Sequence, residues 1–280
     1  MSLPYPQIDP VLVHIGPVAI RWYGLAYIAG IMVGWRYVAS LLGNARLWTR
    51  RPAPITVSQF DDLILWITLG IILGGRLGHV VFYTPELLWT NPLEILQVWN
   101  GGMSFHGGTL GVLMATLAFA WRHKLDVFSL GDVITAAVPP GLFFVRLANF
   151  VNGELWGRPT DVPWAMVFPG AGPLPRHPSQ LYEAALEGLV LFTVLAWATF
   201  GRRLLERRGV IAGIFFLGYG LIRIGLENLR EPDSYLPIFP FGLTMGMMLS
   251  LPMVVGGLWL IWRGLDEQLP PVIGSQDEPA

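Results

Sequence analysis

The chain has 280 residues, 53% of them hydrophobic and 13% charged, with a formal net charge of -1. A soluble domain carries about a quarter charged residues, so half that share, with a mean hydropathy of +0.53, points to a polytopic membrane protein. The charge balance argues against nucleic acid as a partner, because phosphate backbones demand basic surface, and the absence of cysteine excludes a disulfide framework or a thiolate metal site.

The first residues, Met1-Ser2-Leu3-Pro4, lack the basic segment of a cleavable signal peptide, so the first span is expected to persist in the mature protein. A helical span needs about 20 mostly apolar residues. Seven stretches qualify: 18–42, 62–83, 103–121, 131–151, 181–200, 209–227 and 241–262. The expected fold class is an all-α polytopic integral membrane protein, a single transmembrane catalytic domain over 1–268 with a loop at 152–180 and a disordered tail at 269–280. Twelve tryptophans suit two interfacial aromatic belts.

Positive charge sets the expected orientation. Arg46, Arg50 and Arg51 follow the first span, Arg122 and Lys124 the third, and Arg202, Arg203, Arg207 and Arg208 the fifth. No Lys or Arg lies between Arg76 and Arg122. The positive-inside rule then puts the N-terminus outside, the C-terminus inside and the 152–180 loop on the outer face.

Several polar residues lie within the spans. Arg146 falls 14 positions after Asp132 in an outward span, roughly 21 Å along at ~1.5 Å per residue and so in the outer half of a core ~30 Å thick. Arg76 and Arg223 lie similarly far along outward spans, and His106 starts an inward one. A charge near the bilayer centre costs roughly 2.5–3.5 kcal/mol, so such residues mark a polar cavity or catalytic site.

Three motifs collect these residues. In Gly101-Gly102-Met103-Ser104-Phe105-His106-Gly107-Gly108, the glycines serve close helix packing or bring a ligand near backbone N–H groups. Arg146, Asn149 and Gly153 are spaced three and four apart on one helix face, Arg146 presenting a planar fork suited to phosphate. The bland alternative is that Arg146 pairs with Glu154 to fasten the helix end. Tyr219, Arg223 and Glu227 share a face at four-residue spacing, with Glu227 placed to hold Arg223. The stretch His177-Pro178-Ser179-Gln180-Leu181-Tyr182-Glu183 starts the fifth span with many polar groups, Ser179 being the expected N-cap.

Together with Arg21-Trp22-Tyr23-Gly24 and Gly75-Arg76-Leu77-Gly78, these stretches make the chain resemble the prolipoprotein diacylglyceryl transferases over nearly its whole length. Thr109, where an aliphatic residue is expected, is the one departure noted near the site. The resemblance implies transfer of the diacylglyceryl group of phosphatidylglycerol to the cysteine thiol of a preprolipoprotein lipobox, at the outer leaflet of the bacterial inner membrane. It implies His106, Arg146 and Arg223 as catalytic residues. Tyr23, Arg76, Asn149, Glu154, Gly157, Tyr219 and Glu227 then join Arg146 in holding the lipid, among membrane lipids and with no metal or organic cofactor. His106 is the natural base for the thiol, and the arginines suit a phosphate leaving group. The rival from another class is a channel or transporter for an anionic solute, disfavoured by the missing internal repeat and by polar groups collected in the outer half.

Overall fold

The computed structural model describes residues 3–16, 18–98, 101–232 and 239–273. In chain order the helices are α1 (Trp22–Leu42), α2 (Val57–Tyr83), α3 (Leu87–Thr90), α4 (Phe105–His123), α5 (Val127–Ala136), α6 (Val138–Val151), α7 (Ser179–Glu183), α8 (Leu191–Ala196), α9 (Val210–Leu226) and α10 (Met245–Asp266). Helices overlap each of the seven expected stretches. Among the described residues five helical segments are long and apolar enough to cross a membrane: Trp22–Leu42, Val57–Tyr83, Val127–Val151, Ser179–Gly201 and Met245–Asp266. The chain is a mostly helical, polytopic membrane protein. It divides into two compact units, one formed by Met1–Pro52 with Gly131–Ala280 and the other by Ala53–Leu130.

The architecture is not strictly all-α. Strands β1 (Val11–Ile15) and β2 (Val18–Arg21) pair antiparallel, so α1 starts at Trp22 rather than at residue 18. β-Branched residues dominate this run and Gly16 turns it with a φ of 59°. Apolarity alone does not separate such a strand from the start of a helix.

The Ala53–Leu130 unit is built on the antiparallel pair α2 and α4. Gly70, Gly74 and Gly78 recur every fourth residue along α2 and meet Gly107 and Gly111 of α4. A Cβ on Gly74 would stand 2.8 Å from the Gly111 Cα, and one on Gly78 2.8 Å from the Gly107 Cα. Small residues at this spacing let two backbones pack in contact. The helix α2 starts five residues before the expected 62, because Thr56 and Gln59 form a reciprocal capping box with bonds of 3.2 and 2.9 Å.

In the other unit, α1 crosses α6 where Gly30 faces Gly141, and α9 crosses α10 where a Cβ on Gly257 would come 2.6 Å from the Leu217 amide nitrogen. Pro139 and Pro140 occupy the first turn of α6, where a missing N–H costs nothing, and they break the path from α5. The fully buried Asp132 accepts from the amides of Gly209 (2.6 Å) and Ala212 (2.8 Å), so a carboxylate from another helix closes the N-terminus of α9. From α7 the helix continues through a π-helical stretch, Ala184–Val190, into α8.

Among the described residues, 270–273 bond to the loop after α1. Arg50 Nη1 donates to the Pro270 carbonyl (3.0 Å) and the Ile273 amide to that of Thr49 (2.8 Å). Buried Glu206 fixes the same loop by accepting from the Thr49 amide, the Thr49 hydroxyl and the Arg50 amide. Local sequence does not reveal this docking, since its partners lie about 220 residues away. The expected disorder of 274–280 lies outside the described residues.

Candidate active site

Three helices of the larger unit bring their charged side chains together. Arg146 of α6 places Nε 2.8 Å from Glu183 Oε2, while its Nε and Nη2 donate to Glu187 Oε2 at 3.3 and 3.2 Å. Arg223 of α9 donates through Nη1 to Glu183 Oε1 (3.3 Å) and pairs through Nη2 with Glu227 (2.8 Å). Arg230 reaches the same Glu183 oxygen at 3.7 Å. Glu183 and Glu187 are fully buried, and the side chains of Arg146 and Arg223 keep 13% exposure. Three guanidiniums therefore meet three carboxylates away from water, which is how a low-dielectric interior tolerates so many charges.

Each carboxylate has a local reason for its place. Glu183 closes α7 and Glu187 lies on the π-helical stretch that follows, so a locally widened helix presents both to Arg146. Glu227 lies against the first turn of α10, where Gly246 makes room: a Cβ there would stand 2.8 Å from all three carboxylate atoms.

The pairing of Arg146 with Glu154 does not occur. Glu154 instead accepts from Asn149 Nδ2 (2.8 Å) and from Asn152 Nδ2 (3.4 Å). Asn149 is 2% exposed, and its Oδ1 has no partner among the described residues. Ser179 is not an N-cap either. Pro178 holds that position without a side-chain bond, and Ser179 Oγ donates to the Leu155 carbonyl while Gln180 Nε2 donates to that of Glu154. These two bonds hold the loop after α6, where Leu155 adopts a φ of 57°.

Tyrosines surround the cluster. Tyr219 of α9 is in electrostatic range of Glu187, Arg146, Arg223 and Glu183. The rings of Tyr23 and Tyr27 lie 5.2 Å apart, and the Tyr27 hydroxyl is in electrostatic range of Glu154 and Arg146. Gly157 serves the loop crossing: its amide donates to the His177 carbonyl (2.9 Å), and a Cβ would come 2.6 Å from His177 Cβ and the Leu229 carbonyl. Nearby, the Tyr182 hydroxyl accepts from Trp164 Nε1 (2.6 Å) and lies 3.2 Å from His177 Nδ1, and burial pushes the His177 pKa down.

His106 and Arg76 belong to the smaller unit. His106 is the second residue of α4, after the N-cap Ser104, and is exposed. Arg76 is 6% exposed and donates to the carbonyls of Glu94 (2.7 Å), Ile95 (2.9 Å), Gly101 (2.7 Å) and Gly102 (3.3 Å). That geometry fastens the loop leading into α4. Gly101 and Gly102 take φ values of 82° and 73°, and a Cβ on Gly102 would strike His79 and Arg76.

Glu183 belongs to the polar stretch that opens the fifth span, whereas Glu187 and Arg230 stand outside the motifs named above. Their signal was present: two glutamates four apart inside an apolar stretch obey the same rule that exposes Arg146. Among the described residues no group of three or more His, Asp or Glu is arranged to hold a metal ion.

Fold and site define a helical membrane protein with a buried arginine–carboxylate cluster on facing helices. Residues 10–263 match the family described as prolipoprotein diacylglyceryl transferase. The chain is 60% identical over 289 residues to the phosphatidylglycerol–prolipoprotein diacylglyceryl transferase of Phenylobacterium zucineum (strain HLK1), covering 99% of this chain and all of that protein. It is 53% identical to the protein of that name from Caulobacter vibrioides (strain NA1000 / CB15N), over 95% of this chain and 96% of the relative. The protein of that name from Rhizobium meliloti (strain 1021) is 54% identical, over 93% of this chain and 94% of the relative. The chain belongs to the prolipoprotein diacylglyceryl transferase family.

Proposed function

We infer that this protein transfers the diacylglyceryl group of phosphatidylglycerol to the cysteine thiol of a preprolipoprotein lipobox, forming a thioether and releasing glycerol phosphate. The observation that carries the reading is the convergence of Arg146 and Arg223 on one buried carboxylate, in a chain of this family. In the reaction the sulfur forms a bond to the glyceryl carbon as the carbon–oxygen bond to phosphate breaks. The thiol proton passes to a base, and the leaving oxygen keeps the bonding electrons.

That chemistry sets the roles. The leaving phosphate monoester gains charge as the bond breaks, and preorganised N–H donors aimed at developing charge are the largest contributor in a dry site. With three guanidiniums balanced by three carboxylates, an anionic headgroup is received by directed donors rather than by net charge. Arg146 uses Nε and Nη2 on its carboxylates, which leaves the Nη1 edge for phosphate. Asn149, with an unanswered acceptor beside it, suits the hydroxyls of a glycerol headgroup. Tyr23, Glu154, Tyr219 and Glu227 shape that surround. His106 takes the thiol proton, because only a few per cent of a thiol with a pKa near 8.5 is ionised at neutral pH.

The same reading includes seven spans in the bacterial inner membrane, N-terminus outside and C-terminus inside, with the site open to the outer leaflet. Its support is the asymmetry of arginine and lysine between alternate loops. The test is purified protein with phosphatidylglycerol as sole lipid donor and a lipobox peptide as acceptor. Appearance of the thioether-linked peptide is the expected result, and its absence with active-site side chains intact overturns the assignment.

A further inference from the structure

Arg146 and Arg223 reach the cluster from different helices and carry the same charge. What joins them is Glu183, supplied by α7: one oxygen faces Arg146 Nε at 2.8 Å and the other accepts from Arg223 Nη1 at 3.3 Å. Each fork also has an outer carboxylate that the other does not share: Glu187 accepts from Arg146 Nε and Nη2, and Glu227 pairs with Arg223 Nη2. Arg230 adds a third cation to Glu183 at 3.7 Å. Glu183 has no exposed side-chain surface, whereas both arginines retain 13%. The carboxylate is therefore closed to a ligand, while both arginine side chains keep some exposed surface.

We propose that Glu183 is a positioning residue of the transfer reaction, setting the separation and tilt of Arg146 and Arg223 so that both address one phosphate. This rests on the reading of those arginines as the phosphate-binding pair. Without a shared anion, two guanidiniums in a low-dielectric interior repel and rotate towards their outer carboxylates, Glu187 and Glu227. Displacement of a charged group by about 1 Å at a transition state costs on the order of 10²-fold in rate.

Charge arithmetic separates positioning from bulk support. Replacing Glu183 by glutamine changes the cluster of three cations and three anions to a net positive one. An anionic lipid should then bind as well as before or more tightly, while turnover falls. The experiment measures kcat and KM for transfer from phosphatidylglycerol to a lipobox peptide in wild type, Glu183→Gln and Glu183→Asp, with thermal unfolding of each. Glu183→Gln is expected to lose kcat by about 10²-fold with KM for lipid unchanged or lower. Glu183→Asp keeps the charge but withdraws it by one methylene, and is expected to lose kcat by about tenfold at unchanged KM.

A kcat within about threefold of wild type in a folded Glu183→Gln overturns the proposal. If that variant does not fold, Glu183→Asp decides by the same criterion. Loss of folded protein in both assigns Glu183 a purely structural role and also overturns it. Failure of the wild type to form the thioether would instead strike the functional reading, so the two failures stay distinct.

Discussion

A guanidinium inside an apolar helix is kept only where its charge is answered, and Arg146 is answered twice, by Glu183 and Glu187. Arg146→Ala should abolish transfer while folded protein remains in the membrane. Arg146→Lys should rescue poorly, because one ammonium cannot hold two carboxylates and still present a planar edge to phosphate. Near-normal turnover of the lysine variant would reduce Arg146 to a generic charge. A second expectation concerns His106: as the base, its replacement by glutamine should cut turnover by roughly 10²–10⁴-fold. The deficit should shrink as pH approaches the thiol's own pKa near 8.5, where hydroxide does the same work. A pH–rate profile that shows a flat deficit would leave His106 only a headgroup hydrogen bond. At this scale the sequence was readable where a charge interrupted an apolar run, as at Arg146, Arg223 and the pair of Arg223 with Glu227. Partner choice was not readable. Glu154 lies eight positions from Arg146 yet bonds Asn149, while the true partners lie 37 and 41 positions away, across a long loop.

Helices in lipid gain nothing from burying apolar surface against one another, so their contacts depend on shape. The glycines around His106 divide on this ground. Gly107 is consumed by packing, since a Cβ would strike the Gly78 Cα at 2.9 Å, whereas the nearest atom to a Cβ on Gly108 is the Ile71 carbonyl oxygen at 3.8 Å. Gly74→Leu should therefore wedge α2 from α4 and destabilise the protein by at least about 1–3 kcal/mol, the usual range for overpacking. Gly108→Ala should leave thermal unfolding unchanged. Equal stability of both variants would show that the glycine seam carries no packing. Long apolar elements were legible from periodicity and length, with ends off by a few residues. The start of α2 was also written in Thr56-x-x-Gln59, a capping signal that hydropathy ignores. The hairpin before α1 was not legible, because its strands are as apolar as the helix they precede.

At the scale of the whole chain, segments distant in sequence lock together where hydropathy shows only loops. Glu267 pairs with Arg51 at 3.1 Å and with Arg208, and the Arg208 hydrogen bond, with help from Arg51, holds its carboxyl below the usual range. A depressed carboxylate pKa contributes stability above the ordinary unfolded value, lost as pH falls through the lowered folded value. Protection of the Ile273 amide, which donates to the Thr49 carbonyl, should accordingly fall in acid and be lower in Glu267→Gln at neutral pH. Unaltered protection in that variant would mean the tail docks without the carboxylate. Orientation is the remaining global property, and it rests on a physical asymmetry: cytoplasmic loops retain arginine and lysine because translocating them is costly. The natural absence of cysteine permits single-cysteine labelling. Arg50 and Arg207 are unsuitable probes, being half-buried and bonded to Pro270 and Leu265, so resistance there would report burial as much as side. Arg46 and Arg202 are exposed, as is Leu174 in the 152–178 loop at 55%. In intact cells an impermeant maleimide should label Leu174→Cys and spare Arg46→Cys and Arg202→Cys, both becoming reactive once the membrane is opened. Labelling of Arg202→Cys before permeabilisation would invert the topology and move the arginine cluster to the inner half of the bilayer. There it would face the wrong leaflet for a substrate presented from outside.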